Sequence, residues 1–372
     1  MNKKLLAVAI AAALAPAAAM ADSGNVTIYG NLHMSVESLD GNSGAAGSTS
    51  NQRETNISSN SSYIGFKGTE DLGNGLKAIW QMESLVGMGN TSTGTDSNSF
   101  TSRNSFLGLN GGFGTALLGR HDTPMKIVGR KADLFSDQIG DSRNLISAGG
   151  ATWDLRPDNV IAYISPNMNG LTGAVAYVTN TNAGAALSNS VTALSAMGTY
   201  ETGPLMVGLG YEKHNLSNLG GGISDEKAYR LVGGYSFGDF KVTALYQKIA
   251  DALDTVHGGA EANTDRKTWG LGGAYKMGAT TLKLQYYKAD DKTSCGTGVD
   301  CGATGANMVA LGADYSLSKR TTAYVAYAKT NNDSNATGGA SFSAFGGGHG
   351  DNPGTVAGKD PSGFAVGMKH SF

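Results

Sequence analysis

The chain has 372 residues, of which 40% are hydrophobic and 55 are glycine, and its formal net charge is −2. That balance excludes the clustered basic excess that nucleic-acid binding requires. Beyond the N-terminus, long apolar segments are too scarce for the core that a soluble domain of this length would bury.

The first element is a processing signal. Lys3 and Lys4, the apolar run Leu5 to Leu14 and the small-x-small "AMA" at 19–21 read as a cleavable export signal, leaving 22–372 as one mature domain. "NVTIYGNLHMSVESL" (25–39) then alternates, with Val26, Ile28, Leu32, Met34 and Val36 on one face and Thr27, Tyr29, Asn31, His33, Ser35 and Glu37 on the other. A period of two is a strand with one apolar and one polar face. The pattern returns in "LKAIWQMES" (76–84), "FKVTALYQK" (240–248), "TWGLGGAYKM" (268–277), "TLKLQYYKA" (281–289), "VALGADYSL" (309–317) and "TAYVAYAKT" (322–330). Strands of about ten residues are long enough to cross a bilayer at a tilt.

The connections alternate too. Short ones at 71–75, 110–114, 165–170, 202–204, 238–239, 278–279 and 318–320 are tight-turn sequences. Long polar ones fall at 40–60, 85–100, 121–155, 179–192, 215–225, 250–264, 290–305 and 331–361. Seven turns and eight loops separate about sixteen strands, all-β, with every long loop on one rim. A charge held at the lipid midplane costs about 2–4 kcal/mol, so the polar faces must meet an aqueous lumen and the apolar faces must point out. The expected fold is a closed transmembrane antiparallel β-barrel, which also pairs every backbone group in lipid. The abundant glycine relieves crowding in curved strands. On the outward face, Trp80, Tyr163, Tyr177, Tyr211, Trp269 and Tyr315 suit interfacial girdles.

"YIGFKGTEDLGNGLKAIWQME" (63–83), "RNSFLGLNGGFGTALLGRHDTP" (103–124) and the terminal "FAVGMKHSF" (364–372) resemble the general-diffusion porins of β-proteobacteria, Gram-negative outer-membrane proteins, over essentially the whole mature chain. The resemblance implies a sixteen-stranded barrel in the outer membrane, assembled as a homotrimer, with the third long loop folded into the lumen as a constriction. It implies that the barrel assembly machinery reads the terminal Phe372. It also implies arginines on the wall facing acids of the third loop, and places Tyr63, Arg103, Arg120, Asp122, Asp133, Asp137 and Arg156 at the constriction. Where the family usually reads Ser-Arg-Leu-Gly-Phe this chain has "SYIGF", so Tyr63 replaces an arginine. Lumen parity adds Lys77, Arg230, Lys241 and Lys283 against Glu37, Glu83, Glu212 and Asp314, a wall that leans basic and predicts a weak anion preference.

Other chemistry is sparse. Cys295 and Cys301 sit in a Gly/Thr/Ser-rich loop, where export favours a disulfide over a metal pair, with two free thiols as the alternative. One G-x-S-x-G occurs around Ser236, but it lies between strands and lacks the strand-turn-helix setting of a nucleophile elbow. The histidines are scattered, with no convergent metal set, and nothing implies a cofactor. Four strands end in Tyr-x-Lys, which places Lys213, Lys248, Lys288 and Lys329 outward at the long-loop rim, facing lipopolysaccharide phosphates or merely snorkelling. The chain reads as a passive channel for ions and small hydrophilic solutes. The alternatives are a solute-specific channel, which would need a run of lumen aromatics that the sequence does not display, and a barrel enzyme or adhesin.

Overall fold

A computed structural model describes residues 26–41, 53–89, 100–147, 153–179, 191–215, 225–254, 261–293, 301–335 and 338–372. The export signal at 1–21 and Cys295 lie outside the described residues. The period-two segments form sixteen antiparallel strands. They are β1 (Thr27–Asp40), β2 in two collinear runs (Glu54–Ser59 and Tyr63–Gly73), β3 (Leu76–Leu85), β4 (Ser105–Gly111), β5 (Gly114–Arg120), β6 (Val160–Ile164), β7 (Leu171–Val178) and β8 (Thr192–Thr202). The second half is β9 (Leu205–Asn215), β10 (Glu226–Phe237), β11 (Phe240–Asp254), β12 (Glu261–Met277), β13 (Thr280–Ala289), β14 (Ala306–Ser316), β15 (Thr321–Asn332) and β16 (Ser362–Ser371). Two short helices, α1 (Pro124–Arg130) and α2 (Arg143–Ile146), lie in the third long loop.

Each strand pairs with its neighbours in the chain, and β1 pairs with β16 from Asn31↔Ser371 to Asp40↔Ser362. The barrel is therefore closed and presents no open edge to lipid. The two runs of β2 are joined by a bend in which Asn60 N donates to His33 O (2.8 Å) and Ser61 takes a φ of 54°. Tight turns on one rim use left-handed residues where the chain reverses, as at Asn74–Gly75 (φ 53° and 76°). The segment 250–264, read from sequence as a loop, is mostly strand, because β11 and β12 run on to Asp254 and from Glu261.

The apolar faces point out. Leu107, Leu118 and Leu209 are 60% exposed or more, whereas Glu37, Glu212 and Arg230 on the opposite parity are almost fully buried. Glycine does more than ease curvature. Gly208 and Gly210 on β9 lie under Val128 and Met125 of α1, Gly272 lies under Leu134, and Gly312 under Phe135; a Cβ at any of them would sit within 3.0 Å of the loop side chain. The wall is thus hollowed along the track of the third loop.

A second long loop also enters the lumen. Between β15 and β16, Ala344 O accepts from Gly140 N (2.8 Å), and Gly350 N donates to Asn60 Oδ1 (2.7 Å). His349 Nε2 meets Glu37 Oε1 at 2.5 Å, and Phe345 is buried against Leu39 and Gly363. The resemblance implies an inward third loop, and the loop before β16 lies beside it. This filling explains why Leu39, on the lumen face of β1, is buried.

Barrel closure ends on Phe372, whose N and O pair with Gly30 O and N (3.2 and 3.1 Å). Its ring lies over Gly30, where a Cβ would fall 2.5 Å from a ring carbon and 2.7 Å from Tyr63 O. Gly30→Leu is expected to lower the yield of folded barrel by pushing out the ring. Heat-modifiability on an unboiled gel measures the folded share, with Ser38→Leu on the same outward face as a control that leaves it unchanged.

Candidate pore constriction

The third loop begins at His121, where β5 leaves the wall. Thr123 caps α1, its Oγ1 accepting from Lys126 N (3.4 Å), and Pro124 opens the helix with a preset φ. Met125 and Val128 are buried against β9, and the loop then crosses the inner wall as far as β15. Along the way Lys283 Nζ donates to Leu134 O (3.1 Å), and Gln285 Nε2 donates to Gly140 O (2.6 Å). Ile139 packs with Ala310 and Ala328.

Arg230 holds both ends of this excursion. Its guanidinium grips Asp154 in a bidentate pair (2.9 and 3.0 Å), donates to Met125 O (2.9 Å) and also bonds Gln247 Oε1 (2.8 and 2.5 Å). Beside it Trp153 stacks on His214 (4.4 Å, 10°), whose two nitrogens meet Glu226 Oε1 at 2.6 Å and Glu212 Oε1 at 3.0 Å. Lumen parity correctly put Arg230, Lys283, Glu37 and Glu212 on the inner face, but the folded loops cover them, so they anchor loops instead of lining water. Glu212 and His214 are two apart on one face, a signal present in "YEKHN" and missed.

The predicted constriction residues fall into two groups. Arg103 and Arg156 stand together, with Asn104 Oδ1 accepting from Arg156 Nε (3.0 Å), whereas Arg120 lies opposite Ser105 on the strand parity of the outward Leu107 and Leu118. Arg103 Nε bonds Glu83 Oε1 (2.6 Å), Arg120 pairs with Asp158 (3.0 Å), and Arg156 pairs with Asp122 (2.8 Å). Tyr63 joins this group: the Arg103 guanidinium lies over its ring (4.5 Å to the centroid), so the tyrosine that replaces an arginine braces the next one. Tyr29 packs edge-on to Tyr63 (6.2 Å) and donates to Glu83 Oε2 (3.1 Å), and Phe106 meets His121 (5.5 Å). The lumen therefore does carry aromatics, drawn from β1, β2 and β4, which no single stretch of sequence displays.

The loop acids are largely neutralised within their own loop. Asp137 pairs with Arg130 (2.7 Å) and Arg143 (2.8 Å), Asp141 with Arg143 (2.6 Å), and Asp122 with Lys126 (2.8 Å) as well as Arg156. Asp133 accepts from Phe135 N (2.9 Å) and Ser142 N (3.3 Å) and shapes the turn. Of these acids Asp122 pairs with Arg156, whereas Asp137 and Asp141 pair with Arg130 and Arg143 of their own loop. Burial opposes ionisation of Asp122, yet Lys126 and Arg156 hold its carboxyl well below the usual carboxylate range. Burial pulls the Lys126 ammonium down to about 8, against the pull of Asp122 and with Arg156 and Arg143 adding to the fall.

A closed sixteen-stranded barrel narrowed by an inward loop over a cationic wall is a channel, and comparison with known proteins agrees. Residues 7–335 match the Gram-negative porin family model. The chain belongs to the Gram-negative porin family. The porin is 34% identical over 343 residues to the major outer membrane protein P.IB of Neisseria meningitidis serogroup B, covering 87% of this chain and 92% of that one. It is 31% identical over 382 residues to outer membrane porin protein 32 of Delftia acidovorans, covering all of both chains. Among solved structures it resembles the anion-selective porin from Comamonas acidovorans, with 25% identity and a TM-score of 0.72 over 94% of this chain and 100% of that one. The porin resides in the outer membrane and forms a water-filled channel for passive diffusion of ions and small hydrophilic solutes. The family and these names point to a channel, not an enzyme, and Ser236 lies in β10 paired with Lys241, next to the turn at Gly238.

Breaking the Arg230–Asp154 pair would leave a buried carboxylate unpaired, a loss of about 3–5 kcal/mol. Arg230→Met is expected to leave the barrel heat-modifiable while the third loop becomes cleavable. Limited proteolysis mapped to 121–155, together with excess single-channel current noise, measures this.

Proposed function

We propose that the porin weakly prefers anions at its constriction. The carrying observation is a local surplus of cations: Arg103, Arg156 and Lys126 meet two carboxylates, Glu83 and Asp122. A net positive cluster beside the third loop favours anion entry, and the near one-to-one pairing keeps the preference small.

Several further readings accompany this one. The outward face supports a homotrimer: aliphatic Val36, Ile57, Leu107, Leu118 and Ile161 occupy the part of β1–β6 where the other strands carry tyrosine and lysine, as a subunit contact would. Phe372, with its ring over Gly30, is the signal for the barrel assembly machinery. Cys301 opens a short 3-10 turn and is disulfide-bonded, which favours the Cys295–Cys301 closure. Lys213, Lys248 and Lys288 pair with Asp225 (2.8 Å), Asp265 (3.1 Å) and Asp290 (3.9 Å) on the outward rim. With Lys329 they form a row for lipopolysaccharide phosphates.

Reversal potentials in a KCl gradient test the selectivity. Arg103→Ala should weaken the anion preference and Tyr63→Arg should strengthen it, and potentials that move with neither would refute the reading. The preference should also fall as pH rises from about 6 to about 9. Lys126, with its pKa at about 8, carries its positive charge below that pH and loses it above. Lys126→Met should flatten the profile.

A further inference from the structure

The wall beneath the constriction cations is apolar on its lumen face. On one level Ile79 of β3 lies across from Gly108, Gly108 from Leu117 of β5, and Leu117 from Ala162 of β6. One step nearer the long-loop rim, Gln81 lies across from Phe106 and Gly119 from Val160; one step nearer the turns, Thr115 lies across from Ile164. Leu117, Val160 and Ala162 are buried, and Phe106 and Ile164 pack against them. The other apolar clusters of the interior each include a side chain from an inward loop, such as Val128, Phe135 or Met125. Among the described residues this one is built from strands alone. Ile79, Phe106 and Ile164 are only half-buried, so they present apolar surface to the channel.

The cations above this surface are incompletely used. Arg103 donates from Nε to Glu83 Oε1 (2.6 Å) and lies over the Tyr63 ring. Its two terminal nitrogens have no hydrogen-bond partner among the described residues. Arg156 and Lys126 share Asp122 (2.8 Å each), so three cations meet two carboxylates and one positive charge is left over. Arg103 occupies one face of Tyr63, whereas Phe106 meets only the edge of another ring, that of His121 (5.5 Å, 60°). Glu83, which holds Arg103, stands two residues above Gln81, the partner of Phe106. Guanidinium fork and phenyl ring are therefore seated one lumen step apart on the wall, about 7 Å.

We propose that this part of the lumen is a subsite for a small aromatic monocarboxylate, its carboxylate on the Arg103 fork and its ring against Phe106 and Ile79. A guanidinium with both terminal nitrogens open matches a carboxylate through two parallel hydrogen bonds. A flat apolar body gains from a ring and an aliphatic side chain that would otherwise face water. An inorganic anion can use only the first of these contacts, and a neutral hydrophilic solute uses neither. The proposal rests on the anion preference of the same cations and adds the body of the solute that they admit.

The test measures chloride current through the full-length porin in a planar bilayer while benzoate, acetate or benzyl alcohol is added. Benzoate should halve the block-sensitive current at a concentration about tenfold below that of acetate, and benzyl alcohol should not block. Phe106→Ser and, separately, Ile79→Asn should bring benzoate to the level of acetate. Arg103→Gln should weaken both carboxylates, and heat-modifiability confirms that each variant folds. If benzoate and acetate act alike on the wild type while reversal potentials in KCl still favour chloride, the subsite is overturned and the anion preference stands. A difference between the two carboxylates that survives both Phe106→Ser and Ile79→Asn also overturns it, because the wall then takes no part. Block by benzyl alcohol equal to that by benzoate overturns the role of the Arg103 fork. Absence of both benzoate block and anion preference refutes the subsite together with the reading it rests on.

Discussion

Everything in this porin depends on one ladder, the pairing of β1 with β16 that leaves no backbone group unpaired in lipid. Closure fixes the number of strands and makes inside and outside distinct. It also forces the inversion of the usual arrangement, with leucine and valine outward and carboxylates and guanidinium groups inward. Phe372 completes the ladder at its last hydrogen bonds, and Gly30 is small because that ring lies across it.

Closure also creates an interior too wide for wall side chains to fill, and the porin fills it with chain. The third loop is laid on the wall along a track of glycines, and the loop before β16 is laid against the third. Both bury apolar side chains against the wall, Val128, Phe135, Ile139 and Leu145 from the third loop and Phe342 and Phe345 from the other. Buried polar pairs fix their orientation: Arg230 with Asp154, His349 with Glu37, and His214 between two glutamates. Such pairs add little net stability but tolerate only one geometry, and one geometry is what a constriction of defined width requires. The consequence is a division of labour among lumen charges. Those nearest the wall orient loops, and those left partly exposed, on β4–β6 and on the loop itself, set the field that a passing ion meets.

The outer surface is divided as well. Tyrosine and lysine mark β9–β13 and β15 on the long-loop side, where headgroups and acyl chains meet, and an aliphatic surface runs over β1–β6. Interfacial aromatics and snorkelling lysines gain where lipid is the neighbour, which is why we propose β1–β6 as the subunit contact.

The sequence by itself determined the strands, their parity, the alternation of turns and loops, and hence a closed barrel with an aqueous lumen. These follow from a period of two and from the cost of charge in lipid, both local properties of the chain. It also displayed Phe372 and the wall arginines at their positions. Only the tertiary structure decided which charges meet. Glu83 finds Arg103 from the neighbouring strand, Arg230 reaches Asp154 across 76 residues, and His349 reaches Glu37 across 312. Parity says that a residue faces the lumen, but it does not say whether water or a folded loop lies in front of it. Arg230 and Arg103 have the same parity logic and opposite fates, because the third loop rests on one and passes opposite the other.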